Sequence, residues 1–152
     1  MAVSKVRTSA GTKLYVSAAA PATYNVAGFE ALTFTEIGEI TDLGSFGKKY
    51  NLVTFNALGD RKTVKRKGSY NNGTLSLKLG SSVTDAGQVI MEAQALLDTS
   101  PSFKVMTQSG SLYYFSGQVM GWMLEVGSVD QIMGASADVE IDNDIITDEL
   151  TA

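Results

Sequence analysis

Apolar and polar residues alternate along most of this chain, and period-two alternation marks a strand with one face buried. Residues 13–18 set Leu14 and Val16 against Tyr15 and Ser17. Residues 32–40 form a longer run, and residues 50–56 and 74–79 follow the same pattern. Between the last two lies a basic run, residues 61–67, joined to 74–79 by Asn71-Asn72-Gly73. Asn-Gly between alternating runs predicts a hairpin, because the central residues of that turn take positive φ. Phe103, Val105 and Thr107 then alternate with Lys104 and Met106, and Ser109-Gly110 predicts a tight loop. A long strand over residues 112–125 carries Gly117 and Gly121, where a bend or bulge is expected. Residues 126–132 form a connection, and the last strand covers 133–142. Eight short strands with tight turns predict a mainly β fold, two antiparallel sheets packed as a β-sandwich or open barrel.

One segment changes period. Asp85 is placed as an N-cap, with Gln88 three residues on to complete a capping box. Ala86, Val89, Ile90, Ala93, Leu96 and Leu97 recur at three- and four-residue spacing, which predicts one apolar face lying on a sheet. Gln88 and Glu92 fall on the opposite face, and Met91 fills a gap in the packing. Ser100-Pro101 stops this flanking helix, the single helix expected, near Asp98.

The connector over residues 41–49 is too long for a tight turn and too apolar for a solvated loop. Leu43, Phe46, Tyr50, Leu52 and Phe55 need something to pack on, and a neighbouring copy would supply it. The connector is therefore expected to be mobile in the monomer and ordered against a neighbour. Arg61, Lys62, Lys65, Arg66 and Lys67 put basic groups on both faces of one strand, which suits no buried core. A single-strand nucleic-acid groove wants interleaved aromatics, and this run has none. A subunit-bridging role follows for Arg61, Lys62 and Lys65, with Asp144, Asp148 or Glu149 of a neighbour as acidic partners. On the last strand Ala135, Ala137, Val139 and Ile141 share one face, and Ser136, Asp138, Glu140 and Asp142 the other. Three carboxylates in a row repel one another, so stability alone gives no reason to stack them.

Composition narrows the chemistry. The chain has 152 residues, enough for one core and short for two, so one domain is expected over 1–152. That domain would carry a loose N-terminal arm at 1–11 and an acidic C-terminal tail at 143–152. Charged residues make up 18%, below the roughly 25% usual in soluble domains, which points to surface hidden in an assembly. A net charge of −4 gives no general pull towards nucleic acid or an anionic membrane. Cysteine and histidine are absent, which excludes disulfides and removes the preferred zinc ligands and the usual general base. No cofactor or metal is expected. Gly44-Ser45-Phe46-Gly47-Lys48 is too short for a phosphate loop and lacks a following Ser or Thr. The acidic series Asp138, Glu140, Asp142, Asp144 lacks the glycine that a calcium loop turns on. Lys5 and Arg7 precede Leu14-Tyr15-Val16, but the polar residues between them and the stop at Pro21 disfavour a signal peptide.

The order EIGEITDLGSFG, YNLVTFN, KGSYNNGTLSLKLG and SLYYFSGQVMGW resembles the major tail tube protein of long-tailed, siphophage-type bacteriophages, over about residues 11–141. The resemblance implies a β-sandwich with one helix, assembled into stacked hexameric rings around a channel for viral DNA. It implies a virion tail location after assembly in the host cytoplasm. Its implied partners are further copies of the chain, a tape-measure protein, a tail terminator and a baseplate-side tail protein, with no membrane. In that setting Asp138, Glu140 and Asp142 are candidates for lining the channel, where their charge would repel passing phosphate. Leu43, Phe46, Tyr50, Phe55, Arg61, Lys62 and Lys65 are candidates for subunit contacts. A secreted-tube protein of a contractile injection system, a monomeric β-sandwich ligand-binding module and, last, an enzyme are the alternatives.

Overall fold

The strand β8 (Leu112–Glu125) belongs to both layers of the fold. The computed structural model describes residues 6–149. From Leu112 to Ser116, β8 pairs with β7 (Ser102–Met106) on one edge, and its first residues pair with β10 (Ile146–Asp148) on the other. From Gly117 to Glu125 it pairs with β9 (Gly134–Ile141). β7 carries on to β1 (Lys13–Ser17) and β2 (Thr35–Ile37), and β9 to β6 (Thr74–Gly80) and β3 (Ile40–Asp42). All these pairings are antiparallel. One layer therefore runs β2-β1-β7-β8-β10 and the other β8-β9-β6-β3, which realises the expected sandwich of antiparallel sheets.

The inward faces follow the predicted alternation. Leu14, Val16, Phe103 and Phe115 of the first layer meet Leu75, Leu77, Val119 and Val139 of the second in one buried core. Each such side chain contributes about 1.5–3 kcal/mol when fully buried. A one-residue slip of β9 would exchange Val139 and Ile141 for Asp138 and Glu140, so the register is strongly fixed. Gly117 sits where β8 passes between layers, and a Cβ there would lie 2.4 Å from the Glu140 carbonyl oxygen. The register slips between Val119 and Gly121, the bulge expected from the glycines.

Several expectations are corrected. Residues 32–40 form two strands' worth of path, since β2 pairs with β1 and β3 with β6. The chain crosses between layers at Gly38 and Glu39, and Glu39 takes a φ of 62°. Asn71-Asn72-Gly73 turns no hairpin: β5 (Val64–Asn71) pairs with β4 (Lys49–Phe55), while β6 pairs with β9 and β3. The turn residues instead let the chain change sheets, with Gly73 at φ 91°. The acidic tail contains β10, and residues 150–152 of it lie outside the described residues, as do residues 1–5 of the N-terminal arm. The single helix expected is joined by a second, α1 (Val26–Glu30), too short to show a helical period. Asn25 caps it by accepting from Gly28 N at 2.8 Å, and Phe29 stacks on Tyr114 with ring centroids 5.2 Å apart.

The main helix, α2 (Ala86–Gln94), starts at the predicted cap, where Asp85 accepts from Gln88 N at 3.0 Å. It is rotated from the expected orientation: Ile90 and Met91 pack on the core and Glu92 is exposed, as expected, but Gln88, expected outside, is buried. Gly87, Gln88, Met91 and Gln94 face inward, while Val89, Leu96 and Leu97, the latter two just past the helix, are exposed. Gly87 explains the rotation: a Cβ there would lie 2.3 Å from the Glu36 carbonyl oxygen, so only this face approaches β2 closely. Gln88 does not close the capping box. Its Oε1 accepts from Ser82 N (2.9 Å) and its Nε2 donates to the carbonyls of Gly38 (3.1 Å) and Gly80 (2.9 Å). It thereby holds together the layer crossing, the end of β6 and the helix.

Candidate assembly surfaces

β4 and β5 form a ribbon that pairs with no other strand among the described residues. No residue of β4 is buried, and β5 has only Val64 and Gly68 half-buried. A lone two-stranded ribbon is marginal in water. This one nevertheless exposes Leu52, Val53, Phe55 and, in the turn beyond, Leu58. Tyr50 and Tyr70 face each other across the strands at 5.4 Å, with Lys67 Nζ 4.8 Å from the Tyr50 ring and Lys48 Nζ 4.2 Å from the Tyr70 ring. Lys65 lies on β5 opposite Thr54. Arg61 and Lys62 lie in the loop before it, where Asp60 Oδ1 accepts from Lys62 N at 3.1 Å. The structure thus gathers Tyr50, Phe55, Arg61, Lys62 and Lys65 on one projecting element. Leu52, Val53 and Leu58 complete its apolar surface, and their alternation in sequence looks like that of any half-buried strand.

Leu43 and Phe46 belong elsewhere. Both pack half-buried against the chain's own core, with Phe46 5.9 Å from the Tyr113 ring and 5.7 Å from the Phe115 ring. The connector finds packing for Leu43 and Phe46 within the chain, where the sequence pointed to a neighbouring copy. The unpartnered stretch begins at β4. At the ribbon's root, Gly47 N donates to the Asn72 carbonyl (3.2 Å), Asn72 Nδ2 approaches Asp144 Oδ1 (3.5 Å) and Lys48 pairs with Asp144 (3.8 Å). Tyr24 OH donates to the Asp144 carbonyl at 2.7 Å and accepts from Ser116 N at 3.3 Å. Burial pushes the Tyr24 hydroxyl pKa above its ordinary value; the Ser116 bonds oppose the shift, and the charges of Asp142 and Asp144 add to it.

The outer face of β9 carries Asp138 and Glu140, both exposed. Asp138 stands between Ser76 of β6 and Gly121 of β8, and Glu140 between Thr74 and Gln118. Glu140 accepts from Thr74 Oγ1 at 2.7 Å. Asp142, just past the strand, turns to Ser100 Oγ (2.9 Å) and Ser116 Oγ (3.4 Å). Two of the three carboxylates therefore share an open sheet face, and the third stands at its end. The same layer has two open edges. β3 pairs only with β6, and residues 117–125 of β8 pair only with β9, so among the described residues no strand covers either outer edge.

No protein-family model matches this chain, and neither does any curated protein. Solved structures do resemble it in fold. A chain of the anti-feeding prophage (AFP) baseplate superposes with a TM-score of 0.72 at 8% identity, over 95% of this chain and 97% of that one. The SPP1 tail tube protein gives 0.62 at 10% identity, over 93% and 78%. A chain of the extracellular contractile injection system PVC, from its sheath-tube complex, gives 0.58 at 9% identity, over 91% and 88%. The layered β fold described above is thus one shared with components of tail tubes and contractile injection systems.

Proposed function

We propose that this chain is the structural subunit of a phage tail tube, a single domain that polymerises as stacked hexameric rings around a channel for viral DNA. The observation that carries the reading is the β8-β9-β6-β3 layer, whose open face sets Asp138 and Glu140 among Thr74, Ser76, Lys78, Gln118 and Met123, and whose two outer edges no strand covers among the described residues. Open edges invite pairing with another chain, and head-to-tail contacts that close into a ring abolish them. Joining the β8 edge of one copy to the β3 edge of the next makes one continuous sheet, whose acidic face is the channel wall. Asp138 and Glu140 then repel phosphate, and Asp142 stands at the rim. The exposed ribbon is the natural contact to further copies, and the other partners are the tape-measure, terminator and baseplate-side proteins of the virion tail. A secreted-tube protein of a contractile injection system is the second reading, favoured by the likeness to the AFP and PVC chains. It keeps the rings and dispenses with the DNA.

Negative-stain microscopy of the purified protein at high concentration is the test. Six-fold rings or tubes are expected; dispersed monomers would refute both tube readings and favour a ligand-binding module. Replacing Asp138, Glu140 and Asp142 together by Lys is expected to leave rings able to form while slowing or stalling DNA passage. Unchanged passage would remove Asp138, Glu140 and Asp142 from the channel wall, and rings that pass no DNA even in the wild type would favour the second reading.

A further inference from the structure

The strand register places two unlike surfaces at opposite ends of the same layer. At one end Thr74 pairs with Glu140, and Gly117 with Ile141; the ribbon departs there, through Asn71 and Asn72. At the other end Gly80 pairs with Gly134, and Glu125 with the same Gly134. The β8–β9 connection, residues 126–133, projects from that end. It is a built turn: Gly127 takes a φ of 68°, Gln131 N donates to the Ser128 carbonyl at 3.1 Å, and Gln131 Oε1 accepts from Ser128 N at 3.1 Å. The turn holds Val129 96% exposed, and Ile132 beside it is 91% exposed. Glu125 and Asp130, also exposed, flank these apolar side chains.

The ribbon has the complementary character. Its apolar side chains, Phe55 and Leu58, are flanked by Arg61, Lys62 and Lys65, with Asp60 the one carboxylate among them, its Oδ1 turned to Lys62 N, so that the group is net positive. Apolar surface ringed by positive charge thus stands at one end of the molecule, and apolar surface ringed by negative charge at the other. We infer that the 126–133 turn is the receiving surface for the ribbon of a second copy in the next ring. Phe55 and Leu58 meet Val129 and Ile132, and Arg61 and Lys62 meet Glu125 and Asp130. Opposite charges around an apolar centre set register and suppress wrong partners. This assignment rests on the stacked-ring reading and changes the acidic partners expected from sequence. Asp144 lies at the ribbon's own root, paired with Lys48; Asp148 pairs in register with Leu112, at the end of β8 away from Glu125, and Glu149 Oε1 accepts from Tyr113 OH at that same end. None of the three stands at the far end that a head-to-tail stack presents to the ribbon.

A complementation experiment on the full chain tests it. Glu125→Lys/Asp130→Lys and Arg61→Glu/Lys62→Glu are made as two separate double variants. Both change exposed side chains, and unaltered melting temperatures would verify that each folds. Each alone is expected to raise the concentration at which tubes form by about tenfold or more, because like charges then face each other at every ring junction. Mixed in equal amounts, each variant's ribbon meets an opposite charge on the other, and tube formation is expected to return to within about threefold of wild type. Tubes of normal length from either variant alone, or a mixture no better than its components, would overturn the assignment while wild-type tubes keep the ring reading standing. Failure of the wild-type protein itself to form rings or tubes would refute that reading, and this inference with it.

Discussion

Phe46 and Phe55 lie nine residues apart and should respond to substitution in opposite ways. Phe46 rests on Tyr113 and Phe115, half-buried, whereas Phe55 is 64% exposed on the ribbon. Removing a fully buried phenylalanine side chain costs about 3–5 kcal/mol. Half-burial halves the transferred area, so Phe46→Ala is expected to cost roughly 2 kcal/mol. For a chain of 152 residues this corresponds to a fall in melting temperature of about 6 °C. Phe55→Ala removes only the cross-strand contact opposite Val64 and is expected to change stability by less than about 0.5 kcal/mol. Its effect belongs to assembly, where loss of an apolar anchor should keep the protein dispersed at concentrations that give wild-type tubes. Thermal unfolding followed by circular dichroism at low concentration reads the first quantity, and sedimentation at high concentration the second. A Phe46→Ala melting temperature within about 1 °C of wild type would show that the aromatic contacts contribute nothing to stability. A Phe55→Ala protein that assembles like wild type would remove the ribbon from the interface.

Gln88→Leu fills a similar volume but strips partners from Ser82 N and from the carbonyls of Gly38 and Gly80, and should cost about 2–4 kcal/mol in urea unfolding. A loss below about 1 kcal/mol would mean that water replaces those bonds. Tyr24 gives a pH signature. Its hydroxyl pKa is raised in the folded state, so its contribution is complete below the ordinary tyrosine value, about 10, and is lost as pH rises through the folded-state value. Wild-type stability should therefore fall above about pH 10, and less steeply in Tyr24→Phe. Equal slopes between the two proteins would assign the alkaline loss to other groups.

The sequence determined the local choices. Alternation in 74–79 and 134–141 placed Leu75, Leu77, Val139 and Ile141 inside, because a pleated strand sends successive side chains to opposite faces. Asp85 marked the helix start, since a carboxylate there satisfies a backbone N–H that has no helical partner. Gly117 and Gly121 marked the bend of the long strand. The open acidic face of β9 was legible for the same reason as its buried one.

Tertiary structure decided which faces have partners. The helix carries apolar residues on two sides, and only the close approach at Gly87 selected the side with Gln88 and Met91. Asn-Gly specifies positive φ, which serves a crossing between sheets as well as a hairpin, and the pairing of β6 with β9 settled which. Phe46 and Phe55 look alike in sequence, but the first packs on the rings of Tyr113 and Phe115 and the second leaves the body on the ribbon. Periodicity reports that a face is apolar; what covers that face depends on residues far along the chain, and among the described residues no other strand pairs with the ribbon.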